Sequence, residues 1–179
     1  MRKQQIVLGL LIGALFFGCS SKQEQVQKID PLQNAPKWVL YPPHKNAQII
    51  AVGRSNSTDS DFRSKRDQAF SVAQHKIIQQ ITQKLSKVFQ KIDPNAKYAS
   101  LIKEEKNELQ KQLAQDIRMD ALYQTPTGEV YLKAYLTTDS IKDALEQLFT
   151  TKLQKFDVLY ANYLLLKNSG ELDSILSGN

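Results

Sequence analysis

Residues 61–92 read DFRSKRDQAFSVAQHKIIQQITQKLSKVFQKI. Apolar side chains recur there mostly at intervals of three or four residues, the spacing that places them on one face of an α-helix. A residue that precedes proline is disfavoured in helical geometry, so we expect Asp93, which precedes Pro94, to end the helix. The sequence therefore predicts one long helix with a continuous apolar stripe, formed by Phe62, Ala69, Ala73, Ile77, Ile81, Leu85, Val88 and Ile92.

A short strand is predicted before this helix. The run Gln48–Val52 is largely apolar and is followed by Gly53, which marks a backbone position where a side chain is unwelcome. Ala69 and Ala73 are small enough to let the long helix lie close to a sheet. Further upstream, Trp38 follows a proline by two residues, and we expect its indole to close one end of the core.

The elements after the long helix complete a two-layer arrangement. Residues 96–115 predict a second amphipathic helix, and residues 117–125 and 129–137 alternate as two strands joined by a hairpin loop at Pro126-Thr127-Gly128. A third helix, capped by Thr138 or Asp139, is expected to run until Asn168-Ser169-Gly170 stops it. The order strand, helix, helix, hairpin, helix predicts an α+β domain in which a small antiparallel sheet packs against long helices.

Two surfaces of this domain are candidates for interaction. In the strand 129–137, Tyr131, Lys133 and Tyr135 share one face with a threonine, a composition common at interfaces, although a half-solvated sheet face is an equal alternative. The third helix is apolar over more of its circumference than one packing face needs. It therefore either sits deep in its own domain or packs against a second copy, through Phe156, Tyr160 and Tyr163.

The amino-acid composition excludes some functional classes. The chain has 179 residues and a net charge of +6, and loss of residues 1–18 removes Arg2 and Lys3 and leaves 22 basic and 18 acidic side chains. The lysines are interleaved with carboxylates and the arginines are scattered, so no nucleic-acid partner is expected. With only one cysteine the chain forms no internal disulfide, and its stability must come from packing.

The N-terminus resembles a bacterial lipoprotein signal. Arg2 and Lys3 precede an apolar run over residues 6–17, which is too short to span a bilayer, and Cys19 follows directly after Gly18. We expect cleavage of the signal peptide 1–18 and acylation of Cys19, the alternative being ordinary cleavage beside a free thiol. Residues 19–35 are polar and predict a flexible, lipidated tether.

The inventory of reactive residues argues against catalysis. His44 is expected in a loop and His75 on the polar side of the long helix, and neither has a partner at metal-ligand spacing. Glu104, Glu105 and Glu108 lie among lysines, as on a solvated helix face. We therefore expect no enzyme activity, no metal and no cofactor other than the lipid on Cys19.

Several of these features together resemble the LPP-twenty family of envelope lipoproteins. They are Cys19, the opening Ala35–Val39, the strand end Ile50–Ser55, the alanine-spaced helix, and the strand and helix start over residues 129–148. The resemblance implies an LPP-twenty-like domain at 36–148, with 149–179 as a C-terminal helical extension. The family includes antigens or adhesins and an outer-membrane lipoprotein that forms a periplasmic disk or ring around the flagellar motor, and it implies no catalytic residues.

These observations lead to one hypothesis and two alternatives. The first is a non-enzymatic, outer-membrane lipoprotein that faces the periplasm and self-associates, in a flagellar disk or ring. The second is a surface-exposed adhesin or antigen that binds host or glycan ligands through Tyr131, Lys133 and Tyr135. The third is a periplasmic accessory protein that binds peptidoglycan.

Overall fold

The computed structural model describes residues 30–56 and 61–178. They form an α+β fold in which a three-stranded antiparallel sheet packs against helices, which confirms the predicted fold class. In chain order the elements are α1 (Lys37–Leu40), β1 (Gln48–Arg54), α2 (Phe62–Ile92), α3 (Ala99–Gln115), β2 (Arg118–Gln124), β3 (Val130–Thr137), α4 (Thr138–Thr151), α5 (Asp157–Asn168) and α6 (Glu171–Ser177).

The sheet has the strand order β1-β3-β2, so the hairpin strand β3 lies in the centre. Both pairs are antiparallel, and Val52 and Ala121 flank Lys133 on its two sides. The inward residues of β3 are buried, and its outward residues alternate with them as predicted. A bulge between Met119 and Ala121 interrupts the pairing of β2 with β3.

Helix α2 crosses the inner face of the sheet at Gly53. A Cβ atom at this position would lie 1.8 Å from the backbone oxygen of Ala69 and 2.6 Å from the backbone nitrogen of Ala73, both on α2. The helix backbone therefore rests almost directly on β1, and only two alanines opposite a glycine allow so close an approach. This contact confirms the expectation drawn from the small residues.

The boundaries of α2 follow the predicted signals. Asp61 caps its start by accepting a hydrogen bond from the Ser64 backbone at 3.0 Å, and Asp93 ends it before Pro94. The predicted stripe is buried from Ala69 to Ile92, but Phe62 is 45% exposed, so its assignment to the stripe was wrong. Within residues 30–56 and 61–178, no neighbouring element buries Phe62 at the first turn of the helix.

The predicted third helix is two helices. Helix α4 is capped by Thr137, not by Thr138 or Asp139 as predicted: the Thr137 hydroxyl accepts a hydrogen bond from the Ser140 backbone at 3.1 Å. The helix ends at Thr151. The chain then turns through residues 152–156, with Leu153 buried, and α5 returns beside α4. No proline or glycine lies in this turn, so the local sequence carries no breaking signal. Packing of α5 against the core decides the break.

The core continues without interruption past residue 148. The rings of Phe149 and Tyr163 stack with their centroids 4.2 Å apart, and Gly170 turns the chain into α6 with a positive φ of 75°. The segment 149–178 therefore contributes to the same hydrophobic core as the strands, through Phe149, Leu153, Leu159, Tyr163, Leu166, Leu172 and Leu176.

Candidate interaction surfaces

The outer face of the sheet, predicted to present a lysine between tyrosines, is largely occupied by the protein's own residues. The Lys133 side chain is only 15% exposed and its ammonium lies 2.6 Å from the Asp120 carboxylate. The same ammonium lies 5.6 Å from the centre of the Trp38 ring. Its charge is therefore neutralised and its face covered within the chain.

Trp38 is found on this outer face and not at the end of the core. It belongs to α1, which contacts β3, and it is half-buried, whereas its neighbour Val39 is buried. Our assignment of Trp38 as a plug of the core was wrong. The indole instead covers Lys133, a position that is favoured because an aromatic ring attracts a cation over its face.

Tyr131 is also withdrawn from solvent. It is 7% exposed, and the Arg54 guanidinium lies over its ring at 5.7 Å from the centroid. Arg54 in turn donates a hydrogen bond to the Glu129 carboxylate, which raises the pKa of Arg54, while burial raises the pKa of Tyr131. The expectation that Tyr131 and Lys133 are presented to a partner is thus corrected, and Tyr135 is half-buried.

The two edges of the sheet are protected against strand addition. The bulge in β2 falls at Asp120, and Arg118 lies exposed two residues before it. At the opposite edge, the Lys76 ammonium donates a hydrogen bond to the Val52 carbonyl at 2.7 Å. Bulges and charged side chains at edges are the devices by which proteins avoid edge-to-edge pairing. Neither edge therefore offers a regular template for a partner strand.

The second predicted surface, α5, has one buried and one open side. Tyr163 is 1% exposed and stacks in the core, so it is not a surface residue as an interface would require. Phe156 and Tyr160 are half-buried, and Phe156 packs edge-to-face on Tyr98 at 5.5 Å. The sequence left open whether this helix lies deep in its own domain or against another copy. Tyr163 lies in the core of its own domain.

The open side of α5 is apolar, and sequence reasoning did not single out its residues. Val158 is 55% exposed and Leu165 is 68% exposed, with Ala161 exposed between them. These three positions are separated by three and four residues and lie on one line along the helix. We call this line the α5 stripe. The spacing of its residues is visible in the sequence, but the residues on the buried side of the helix have the same spacing, so the sequence does not distinguish the two sides.

Charges near the end of α5 are paired within the chain. Lys167 contacts the Glu146 carboxylate, and this hydrogen bond lowers the pKa of Glu146. The Tyr163 hydroxyl donates to the same carboxylate at 3.4 Å, and burial raises the pKa of Tyr163. These contacts fix α5 on α4 and leave the α5 stripe facing outward.

Replacing Tyr163 with alanine is expected to lower the free energy of unfolding by about 3 kcal/mol, because it removes a large buried ring and leaves a cavity beside Phe149. The measurement is urea unfolding followed by circular dichroism. Tyr163→Phe is the matched control, since it keeps the ring and loses only the long hydrogen bond to Glu146, and it should stay within about 1 kcal/mol of wild type. Equal losses in both variants would contradict a packing role.

A catalytic arrangement is not apparent in the described residues. Within residues 30–56 and 61–178, no group of three or more His, Cys, Asp or Glu side chains is placed to hold a metal ion. An open groove of about 590 Å³ runs beside residues 151–156, but its Glu105 and Lys152 pair with each other at 3.0 Å. His44 and His75 are both exposed.

Cys19, the predicted site of lipidation, lies outside the described residues, as do the signal peptide and most of the predicted tether. Among the helices of the described part, none combines the length and apolar character needed to cross a bilayer. Comparison of the chain with protein-family models, with curated proteins and with solved structures finds no match. The resemblance to the LPP-twenty family stays a prediction from the sequence.

Proposed function

We propose that this chain is a non-enzymatic lipoprotein, anchored through Cys19 in the outer membrane, that faces the periplasm and associates with further copies of itself. The basic start, the short apolar run and the cysteine behind it support the anchor. The resemblance to LPP-twenty proteins favours a disk or ring at the flagellar motor as the assembly. No cofactor takes part besides the covalent lipid.

The α5 stripe is the single observation that carries self-association. Val158 and Leu165 each leave more than half of their surface in water, while the opposite side of the same helix is buried. Burial of apolar surface yields about 25 cal/mol per Å², so this side of the helix gains free energy when another apolar surface covers it. Exposed apolar residues aligned along one helix face are typical of an interaction site.

A second copy complements the α5 stripe in an antiparallel orientation. Such a pairing brings Val158 of one copy beside Leu165 of the other, with Ala161 close to the two-fold axis, where its small side chain permits close approach. The opposed helix dipoles favour the same orientation.

The contact between two α5 stripes is small, so association through it depends on the membrane anchor. A helix of 12 residues is about 18 Å long, so the interface is below the roughly 800 Å² per partner of a stable complex. Association in solution is therefore weak. Confinement to a membrane raises the local concentration and makes the same contact effective without any new interaction.

Replacing both Val158 and Leu165 with lysine is expected to abolish concentration-dependent association, because two like-charged rows would then face each other. The measurement is analytical ultracentrifugation of residues 20–179 at increasing concentration. Met119→Lys with Leu122→Lys is the matched control, since both residues are similarly exposed on β2, at 52% and 41%. It should associate as wild type does. A wild-type chain that stays monomeric at the highest concentration would remove the basis for self-association.

The alternative of a surface-exposed adhesin has less support. Its proposed contact residues Tyr131 and Lys133 are withdrawn from solvent and satisfied within the chain. A peptidoglycan-binding role would rely on Tyr135, which is half-buried. Protease treatment of intact cells separates the cases, because it should spare a periplasmic protein and cleave an adhesin.

A further inference from the structure

An exposed patch surrounds the first helix after the predicted tether. We define the α1 patch as Lys37, Leu40, Tyr41 and Lys45. Leu40 is 51% exposed and Tyr41 is 76% exposed, and both lysines are exposed as well. An exposed leucine and tyrosine that are adjacent in the chain, with exposed lysines close by in the sequence, form a combination typical of surfaces that meet lipid.

The α1 patch is held in a defined orientation. The Tyr41 backbone nitrogen donates a hydrogen bond to the Lys37 carbonyl at 2.8 Å, so Lys37, Leu40 and Tyr41 share one side of the helical turn. Val39 is buried on the other side, and Trp38 lies over Lys133. The domain therefore presents the apolar residues of the patch outward on a fixed support.

The segment that carries the α1 patch has only positive charges. Residues 31–58 contain Lys37, Lys45 and Arg54 and no aspartate or glutamate. Arg54 is neutralised by Glu129, but in the part of the chain that the structure describes neither Lys37 nor Lys45 takes part in an ion pair. An unpaired lysine close to an anionic membrane is attracted to the lipid phosphates.

The position of the α1 patch in the chain brings it near the bilayer. Sixteen residues, 20–35, separate Cys19 from Pro36. Fully extended they span at most about 50 Å, and the turn at residues 31–34 shortens this reach. Helix α1 is the first described helix after them, so the predicted tether is long enough for the α1 patch to reach the membrane.

We propose that the α1 patch rests on the anionic membrane in which Cys19 is anchored, with Leu40 and Tyr41 among the lipid headgroups and Lys37 and Lys45 against their phosphates. This inference rests on the proposed anchoring. The contact orients the domain and leaves the α5 stripe available to a neighbouring copy. It adds a second, reversible membrane contact to the irreversible attachment through the covalent lipid on Cys19.

Trp38, the only tryptophan of the chain, is a built-in reporter for this contact. The lipidated full-length protein is reconstituted in vesicles of phosphatidylcholine with roughly a third phosphatidylglycerol, in which brominated lipids quench tryptophan at short range. We expect the brominated lipids to quench Trp38 in the wild-type protein. Quenching should fall about twofold or more in the double variant Leu40→Ser/Tyr41→Ser, and by a similar factor in the double variant Lys37→Glu/Lys45→Glu. High salt should weaken it as well, because it screens the lysines.

The control is Met119→Ser with Leu122→Ser, which removes similarly exposed apolar side chains elsewhere and should quench as wild type does. All variants should float with the vesicles, because Cys19 is unchanged. Flotation without quenching would overturn the membrane contact while the anchor stands, and loss of flotation in the wild type would overturn the anchor itself. A Trp38 signal that depends on protein density and not on brominated lipid would show that a second copy covers the α1 patch, and would also overturn the proposal.

Discussion

Replacing Gly53 with alanine is expected to lower the free energy of unfolding by more than about 4 kcal/mol, a large part of the roughly 5–15 kcal/mol that keeps a typical domain folded. The added methyl group would lie 1.8 Å from the backbone oxygen of Ala69. That atom belongs to the backbone of α2 and cannot rotate away, as a side chain could. The helix would have to move off the sheet along its crossing with β1, and the core beneath it would open.

The measurement is urea unfolding of residues 20–179, followed by circular dichroism. Gly170→Ala is the matched control: the added methyl group meets no atom within 4 Å, and the positive φ of 75° is the only source of strain. It should cost about 1–2 kcal/mol. A Gly53→Ala protein that unfolds within about 1 kcal/mol of wild type would show that α2 does not cross β1 so closely.

Replacing Cys19 with alanine is expected to move the protein from the membrane fraction to the soluble fraction. Each buried CH₂ group of an acyl chain contributes about 0.8 kcal/mol, so loss of two or three chains removes nearly all of the membrane affinity. The measurement is fractionation of cells, with the membranes washed in high salt. That wash releases a contact made by the α1 patch alone, because its lysines are screened, but it does not release an acylated protein.

Ser21→Ala is the control for this experiment, since it changes a neighbouring residue and keeps the cysteine. It should stay with the membranes. If the Cys19→Ala protein remains bound after the high-salt wash as firmly as wild type, the proposed anchor is wrong. Self-association through the α5 stripe could then still be tested in solution, because that contact does not include the lipid.

The location of most elements could be predicted because each depends on a short window of sequence. The spacing of apolar residues placed α2, and Asp93 before Pro94 marked its end. Alternating residues placed β2 and β3, and the loop around Gly128 joined them. The need for a residue without a side chain at Gly53 was also visible, from a glycine that ends an apolar strand and two alanines in the next helix.

The candidate surfaces were predicted less well. The sequence indicated that Tyr131 and Lys133 share an outward face, and they do, but α1 and the side chains of Arg54 and Asp120 cover that face. In α5 the sequence showed an excess of apolar residues without showing which of them are exposed. Tyr163 was among the interface candidates and is buried, whereas Val158 and Leu165 are exposed.

The sequence by itself determined the fold class, the order of helices and strands and the close crossing at Gly53, since hydrophobic period, capping residues and small side chains act over a few neighbouring positions. Only the tertiary structure decided where the third helix breaks, which side of α5 faces water and what covers Lys133. Those outcomes depend on contacts between residues far apart in the chain, such as Trp38 with Lys133 and Phe149 with Tyr163. A local pattern records that a residue is apolar, but which apolar residues become buried is determined by the elements that pack against them.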